Sequence, residues 1–146
     1  MHSLFDNALH KNSVRPQASG AQTINGAAVD TQGYDTLLGL INIGAASGSP
    51  TSFTVDAKLQ SSADGSTNWQ DTGIAISQAS AENQSAQVRL DNLMAAYNAA
   101  TPVNRYVRWV ITVAITGGSS PAVPVSGDLM LGRYTFGPVG NSSTPA

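Results

Sequence analysis

Residues 105–116, R-Y-V-R-W-V-I-T-V-A-I-T, decide the fold class. Side chains alternate across a β-strand, and Val107, Trp109, Ile111, Val113 and Ile115 fall on one parity as unbroken hydrocarbon. The other parity, Tyr106, Arg108, Val110, Thr112, Ala114 and Thr116, is β-prone and amphipathic. The second face of this strand is therefore expected to meet protein along part of its length, as in the centre of a sandwich or barrel.

Working outward, Phe53, Val55, Ala57 and Leu59 alternate with Thr54, Asp56, Lys58 and Gln60, the pattern of a half-buried antiparallel strand. Asp64-Gly65 follows as a hairpin tip, because Gly accepts the positive φ that tight turns need, and Trp69 is expected to open the returning strand. Tyr34 to Ile43 reads as a strand with Leu37, Ile41 and Ile43 on one side and Gly39 as a bulge or a close backbone approach. Shorter strands are expected at Thr23–Asp30, at Ile74 and Ile76, over Ala86–Leu90, and over Gly127–Phe136 with Leu129 and Leu131 on one face. The stretch from Asp91 to Ala100 is the one helical segment, capped by Asp91 and stopped before Pro102. About seven short strands and one brief helix predict an all-β fold: an antiparallel β-sandwich, jelly-roll-like or Ig-like.

Residues 1–22 carry no sustained periodicity and are read as an extended N-terminal arm, with residues 23–138 as the β-sandwich domain and 139–146 as a flexible C-terminal tail. Within the arm, Leu4, Phe5, Leu9 and Val14 have no partners visible in the sequence, so they are the candidate interface residues, expected to be buried against a neighbouring subunit or shell.

Composition excludes more than it assigns. Charged residues make up 11% of the 146, against roughly a quarter in ordinary soluble domains, and Ala, Ser, Thr, Gly, Asn and Gln supply the polarity. Such a surface suits broad contact with other protein. A net charge of −2 gives no footprint for nucleic acid, and no apolar run is long enough to span a membrane or to act as a secretory signal. With no cysteine there are no disulfides, thiolate metal sites or cysteine nucleophiles.

Chemistry has few places to reside. His2 and His10 both fall in the expected arm, where a catalytic geometry is hard to hold. Asp64, Ser66, Thr67 and Asn68 gather oxygens but lack the alternating acids and terminal Glu of a calcium loop, so a turn is the better reading. Trp109 belongs to the core parity; Trp69 is assigned to packing as well, with stacking on a sugar as its other reading. Arg105 and Arg108 lie on opposite sides of their strand and are expected in separate pairings. No catalytic residue, cofactor or metal is assigned, and an enzyme is not expected.

Taken together, V-D-T-Q-G-Y-D-T-L at 29–37, F-T-V-D-A-K-L-Q-S-S-A-D-G-S-T-N-W at 53–69, R-Y-V-R-W-V at 105–110 and L-M-L-G-R-Y at 129–134 resemble the small β-sandwich decoration, or cement, proteins of tailed-bacteriophage capsids. The resemblance spans about residues 25–138 and rests on structural motifs. It implies a non-enzymatic virion protein, made in the host cytoplasm, that sits on the outer capsid surface as a homo-oligomer, a trimer being favoured. Its partner would be the major capsid protein, whose capsomers it bridges. The hairpin and the R-Y-V-R strand also occur in discoidin-like carbohydrate-binding modules, so such a module is the alternative, followed by a tail or head–tail connector component.

Overall fold

A computed structural model describes residues 7–99 and 102–133. Nine strands form two antiparallel sheets: β1 (Ala8–Ser19), β2 (Gln22–Asn25), β3 (Val29–Asp30), β4 (Thr36–Ile43), β5 (Ser52–Ser62), β6 (Gln70–Ala75), β7 (Gln84–Leu90), β8 (Tyr106–Thr116) and β9 (Val123–Gly132). A helix, α1 (Leu93–Tyr97), lies between β7 and β8. The first sheet runs β1-β9-β4-β7 and the second β2-β8-β5-β6, with β3 extending β2 along β8. Successive strands cross from sheet to sheet except from β2 to β3 and at the β5–β6 hairpin, and each sheet interleaves early strands with late ones. That order is a jelly roll, with β2 and β3 sharing one strand position. Of the two sandwiches expected, the jelly roll is the one formed.

The core lies between the sheets, and Trp109 occupies its middle, fully buried together with Val107, Ile111, Leu129 and Ile41. The opposing sheet makes room for the indole with two glycines. A Cβ on Gly39 would come within 2.6 Å of Trp109 Cζ2, and one on Gly127 within 2.9 Å of Trp109 Cδ1. The indole N–H donates to the Asp128 carbonyl at 3.0 Å, so the ring is fixed by a bond as well as by shape. On the other parity Val110 is also buried, as the amphipathic face of β8 predicts.

The expected arm is corrected over residues 8–19. They form β1, which pairs with β9 from Ala8–Gly132 to Ser19–Val123, and Val14 is a core residue with 2% of its surface exposed. Two register shifts, between Asn12 and Val14 and between Val14 and Gln17, break the alternation that would have announced a strand. They leave room for Pro16, which an edge strand tolerates. The buried Ser13 is part of the same device: its hydroxyl donates to the Ala27 carbonyl at 2.9 Å and accepts the Trp109 backbone N–H at 2.9 Å.

Three boundaries also differ. The strand expected over Thr23–Asp30 is divided at Gly26, whose N–H bonds the Trp109 carbonyl and whose missing side chain leaves space for Ser13. The helix is capped by Asn92, not Asp91: the Asn92 side-chain oxygen accepts the Ala95 N–H at 2.9 Å. The last strand starts at Val123, earlier than expected, because Pro124 reads as a turn in sequence yet lies within β9. The expected C-terminal tail 139–146, the end of the last strand at 134–136 and the end of the helical segment at Ala100 lie outside the described residues.

Candidate interface at the helix end of the sandwich

One end of the sandwich gathers the start of β4, the ends of β7 and β9, the start of β8, and α1. The turn after β3 is closed by the Tyr34 N–H on the Thr31 carbonyl, and α1 is docked onto it by the Leu93 N–H on the Asp35 carbonyl at 2.7 Å. Leu93 is the large inward side chain of this five-residue helix, 7% exposed beside the buried Val103, and Ala96 packs half-buried against the same core. Met94 and Tyr97, three apart and so neighbours on the outer side of the helix, are left 68% and 55% exposed. These are the large exposed hydrophobic side chains among the described residues. Together with Tyr34, Leu93, Val103 and Arg105 they line an open pocket of about 320 Å³.

One guanidinium group lines this pocket and a second packs on its Tyr34 wall. Arg105 forks onto Asp30, Nε to Oδ1 at 2.8 Å and Nη2 to Oδ2 at 2.6 Å, while lying 5.0 Å from the Tyr106 ring centre. The Arg105 hydrogen bonds, helped by the Gln32 backbone N–H, hold the Asp30 carboxyl down at about 2, and the pairing pushes Arg105 up. Arg133 lies over the Tyr34 ring at 4.8 Å. Tyr, Met and Arg around an apolar hollow form the residue mixture that concentrates binding energy at protein interfaces.

The residues singled out from sequence are distributed differently. Leu4 and Phe5 lie outside the described residues. Leu9 is half-buried and packs on the core edge opposite Leu131, and Val14 is inside, so neither is a free interface side chain. Met94 and Tyr97 were missed, although the i, i+3 spacing of two large apolar residues in a helix too short to bury both is the signal that marks them.

The remaining candidates make contacts within the chain. Asp64 accepts from the Ser66 and Thr67 N–H groups and from the Ser62 and Thr67 hydroxyls, which hold its carboxyl well below the usual carboxylate range. Gly65 takes φ +75° beneath the Tyr106 ring, as the hairpin reading requires. Trp69 stands just outside β6, half-buried, with the Arg108 guanidinium 4.2 Å from its ring centre. Arg108 in turn donates to Gln60, while Arg105 pairs elsewhere, so the two arginines do serve separate partners. His10 meets Asp128 at 3.1 Å on the outer face of the first sheet. Among the described residues no group of three His, Cys, Asp or Glu side chains could hold a metal ion, and no helix is long and apolar enough to cross a membrane.

No family model matches this chain, and no curated protein matches it. Among solved structures, it is similar to a protein of the disulfide-linked pili of Bacillus endospore appendages, at 9% identity and a TM-score of 0.40, over 87% of this chain and 88% of the other. A protein of infectious bursal disease virus, Gx strain, gives 13% identity and a TM-score of 0.43, over 85% of this chain but only 31% of the other. A third similarity is to the CBM36-1 domain of a multidomain xylanase from the hindgut metagenome of Trinervitermes trinervoides, at 11% identity and a TM-score of 0.32, over 85% of this chain and 96% of that one. At such distances function has to be argued from surface chemistry.

Proposed function

We propose that this chain is a non-enzymatic structural protein of a bacteriophage virion, which binds the outer surface of the capsid and bridges capsomers through the helix end of its sandwich. The observation that carries the docking site is the exposure of Met94 and Tyr97 around an apolar pocket bordered by arginine. A jelly roll supplies a rigid platform, and burying two large side chains against a capsid subunit gives each copy a modest affinity. An oligomer, a trimer in this reading, multiplies that affinity by engaging several capsomers at once. The sequence resemblance to decoration proteins points the same way, as does a surface poor in charge.

The test is sedimentation with undecorated capsids. Met94→Ser together with Tyr97→Ser should leave the fold intact and weaken binding about thirtyfold, the loss expected for truncating an interface hot spot worth ~2 kcal/mol. Undiminished binding by the double variant would remove the helix end from the mechanism. Failure of the unaltered protein to bind any capsid, with capture on a glycan array, would replace this reading with a carbohydrate-binding module.

A further inference from the structure

The two flanks of the sandwich are finished differently. On one, β1 and β2 are tied together: the Ala27 N–H donates to the Ser13 carbonyl at 2.7 Å, and the Gln22 amide donates to the Ser19 hydroxyl at 3.0 Å. β1, the outer strand there, carries Lys11 and Arg15, both exposed and neither in an ion pair among the described residues. The other flank is bounded by β6 and β7. Val88 and Leu90, which face inward from β7, are only half-buried there, as are Ile74 and Ile76, so the core is incompletely covered. β7 pairs with β4 from Gln84 to Leu90 without a shift and is the last strand of its sheet among the described residues, so its outer main-chain groups face a neighbour. Glu82 and Asp91 stand just beyond its two ends, and the cations of this flank, Arg89 and Lys58, are already paired with Asp91 and Asp71.

These charges stand at matching heights. Lys11 pairs with Leu129, Leu129 with Gly39, and Gly39 with Val88, so Lys11 is level with Val88; by the same route Val14, just before Arg15, is level with Ala86. A second copy set alongside at equal height therefore brings two cations to β7 between Glu82 and Asp91. The four strands of the first sheet alternate in direction, so β1 of that copy runs antiparallel to β7 with no inversion of the molecule. We propose that copies of this chain associate side by side, the β6–β7 flank of one against the β1 edge of the next. Such a contact is heterologous, and repeated about an axis along the strands it closes a ring with every helix end on one side. It covers the half-buried aliphatic side chains and matches opposite charge, which fixes the order of the copies. The ring takes only its number, three, from the function proposed above; the contact itself stands on the two flanks.

Sedimentation equilibrium of the full-length chain, without capsids, tests the contact. The unaltered protein should have the mass of three copies. Lys11→Glu with Arg15→Glu should reduce it to a single copy, and so should Ser85→Lys with Gln87→Lys on the opposite flank, since each pair of changes sets like charges against each other. The chain carrying all four substitutions should recover the mass of the unaltered protein. All four positions are exposed, and recovery in the fourfold variant separates a broken contact from a misfolded chain. A single-copy mass for the unaltered protein would overturn the proposal. So would a two-copy mass, which β7 pairing with β7 about a two-fold axis gives, a mass indifferent to the double substitutions, or a fourfold variant that stays dissociated. A ring that forms by these rules while binding no capsid would leave the contact standing and remove the virion function, so the two readings fail separately.

Discussion

At the scale of single residues, the fold depends on one fit: the indole of Trp109 against the bare backbones of Gly39 and Gly127. Trp109→Ala should cost about 3–5 kcal/mol in a denaturant titration, the range for emptying an aromatic site in a packed core. Gly39→Ala inserts a methyl group 2.6 Å from the ring and should cost about 1–3 kcal/mol by overpacking. If the clash is with the indole, the Gly39→Ala penalty should shrink in a Trp109→Phe background, where the ring is smaller; a strictly additive double mutant would show that the glycine serves another purpose. Trp109 was legible because its strand alternates cleanly. The purpose of Gly39 was half legible: its position inside an apolar strand pointed to a close approach, but the partner is distant in sequence, and no local pattern names it. Asp30 adds a pH signature. Its folded pKa, held at about 2 mainly by Arg105, lies below the unfolded value near ~3.9, so its contribution is complete above about pH 5 and is lost as pH falls toward 2. Asp30→Asn should therefore flatten the acid limb of a melting-temperature profile over that window, and an unchanged limb would show that the ion pair is too well solvated to matter.

At the scale of elements, the strands with regular alternation, β4, β5, β7 and β8, were readable, and the irregular one was not. β1 puts Leu9 and Val14 on opposite parities and brings both toward the core only through its bulges, so its sequence looks like an arm while its backbone bonds along β9. Removing residues 2–20 is for this reason expected to unfold the sandwich: it strips the bonded edge from β9 and empties the Val14 site. A sharp, cooperative melt near the full-length temperature would show instead that β1 is dispensable. The β5–β6 hairpin makes the opposite case, since its tip was fully legible in Asp64-Gly65. Gly65→Val places a β-branched side chain at φ +75° and within 2.9 Å of the Tyr106 ring, and it should lower stability by more than about 1 kcal/mol by calorimetry. The helix end was legible only in part. The i, i+3 spacing marks Met94 and Tyr97 as a pair, but the one-sided docking that leaves them outside depends on the Leu93–Asp35 bond, whose partners are distant in sequence.

At the scale of the whole molecule, the jelly roll separates its two ends. Ala8 pairs with Gly132, and Thr36 pairs with Gly132 on its other side, so the described chain begins and finishes beside α1. The opposite end is closed by the loops around Gly48, Ser80–Asn83 and Ser119, where Ser119 N–H bonds the Gly48 carbonyl and Glu82 accepts the Ala46 N–H. The outer faces differ as well. That of the first sheet carries the half-buried Leu38, Leu40 and Met130, while that of the second is laced by polar pairs such as Lys58–Asp71 and Gln78–Asp56. If the helix end meets the capsid, the far end points into solvent, and the two ends should tolerate additions unequally. A folded domain of about 100 residues fused at the N-terminus would crowd the docking end, whereas the same domain inserted with flexible linkers between Ser80 and Ala81, both exposed, would project away from the shell. The insertion protein should sediment with capsids as the unaltered chain does and the N-terminal fusion should not, both melting cooperatively. The reverse result, a fusion that binds and an insertion that does not, would turn the molecule end for end on the shell and transfer the interface to the loops around Gly48 and Ser119.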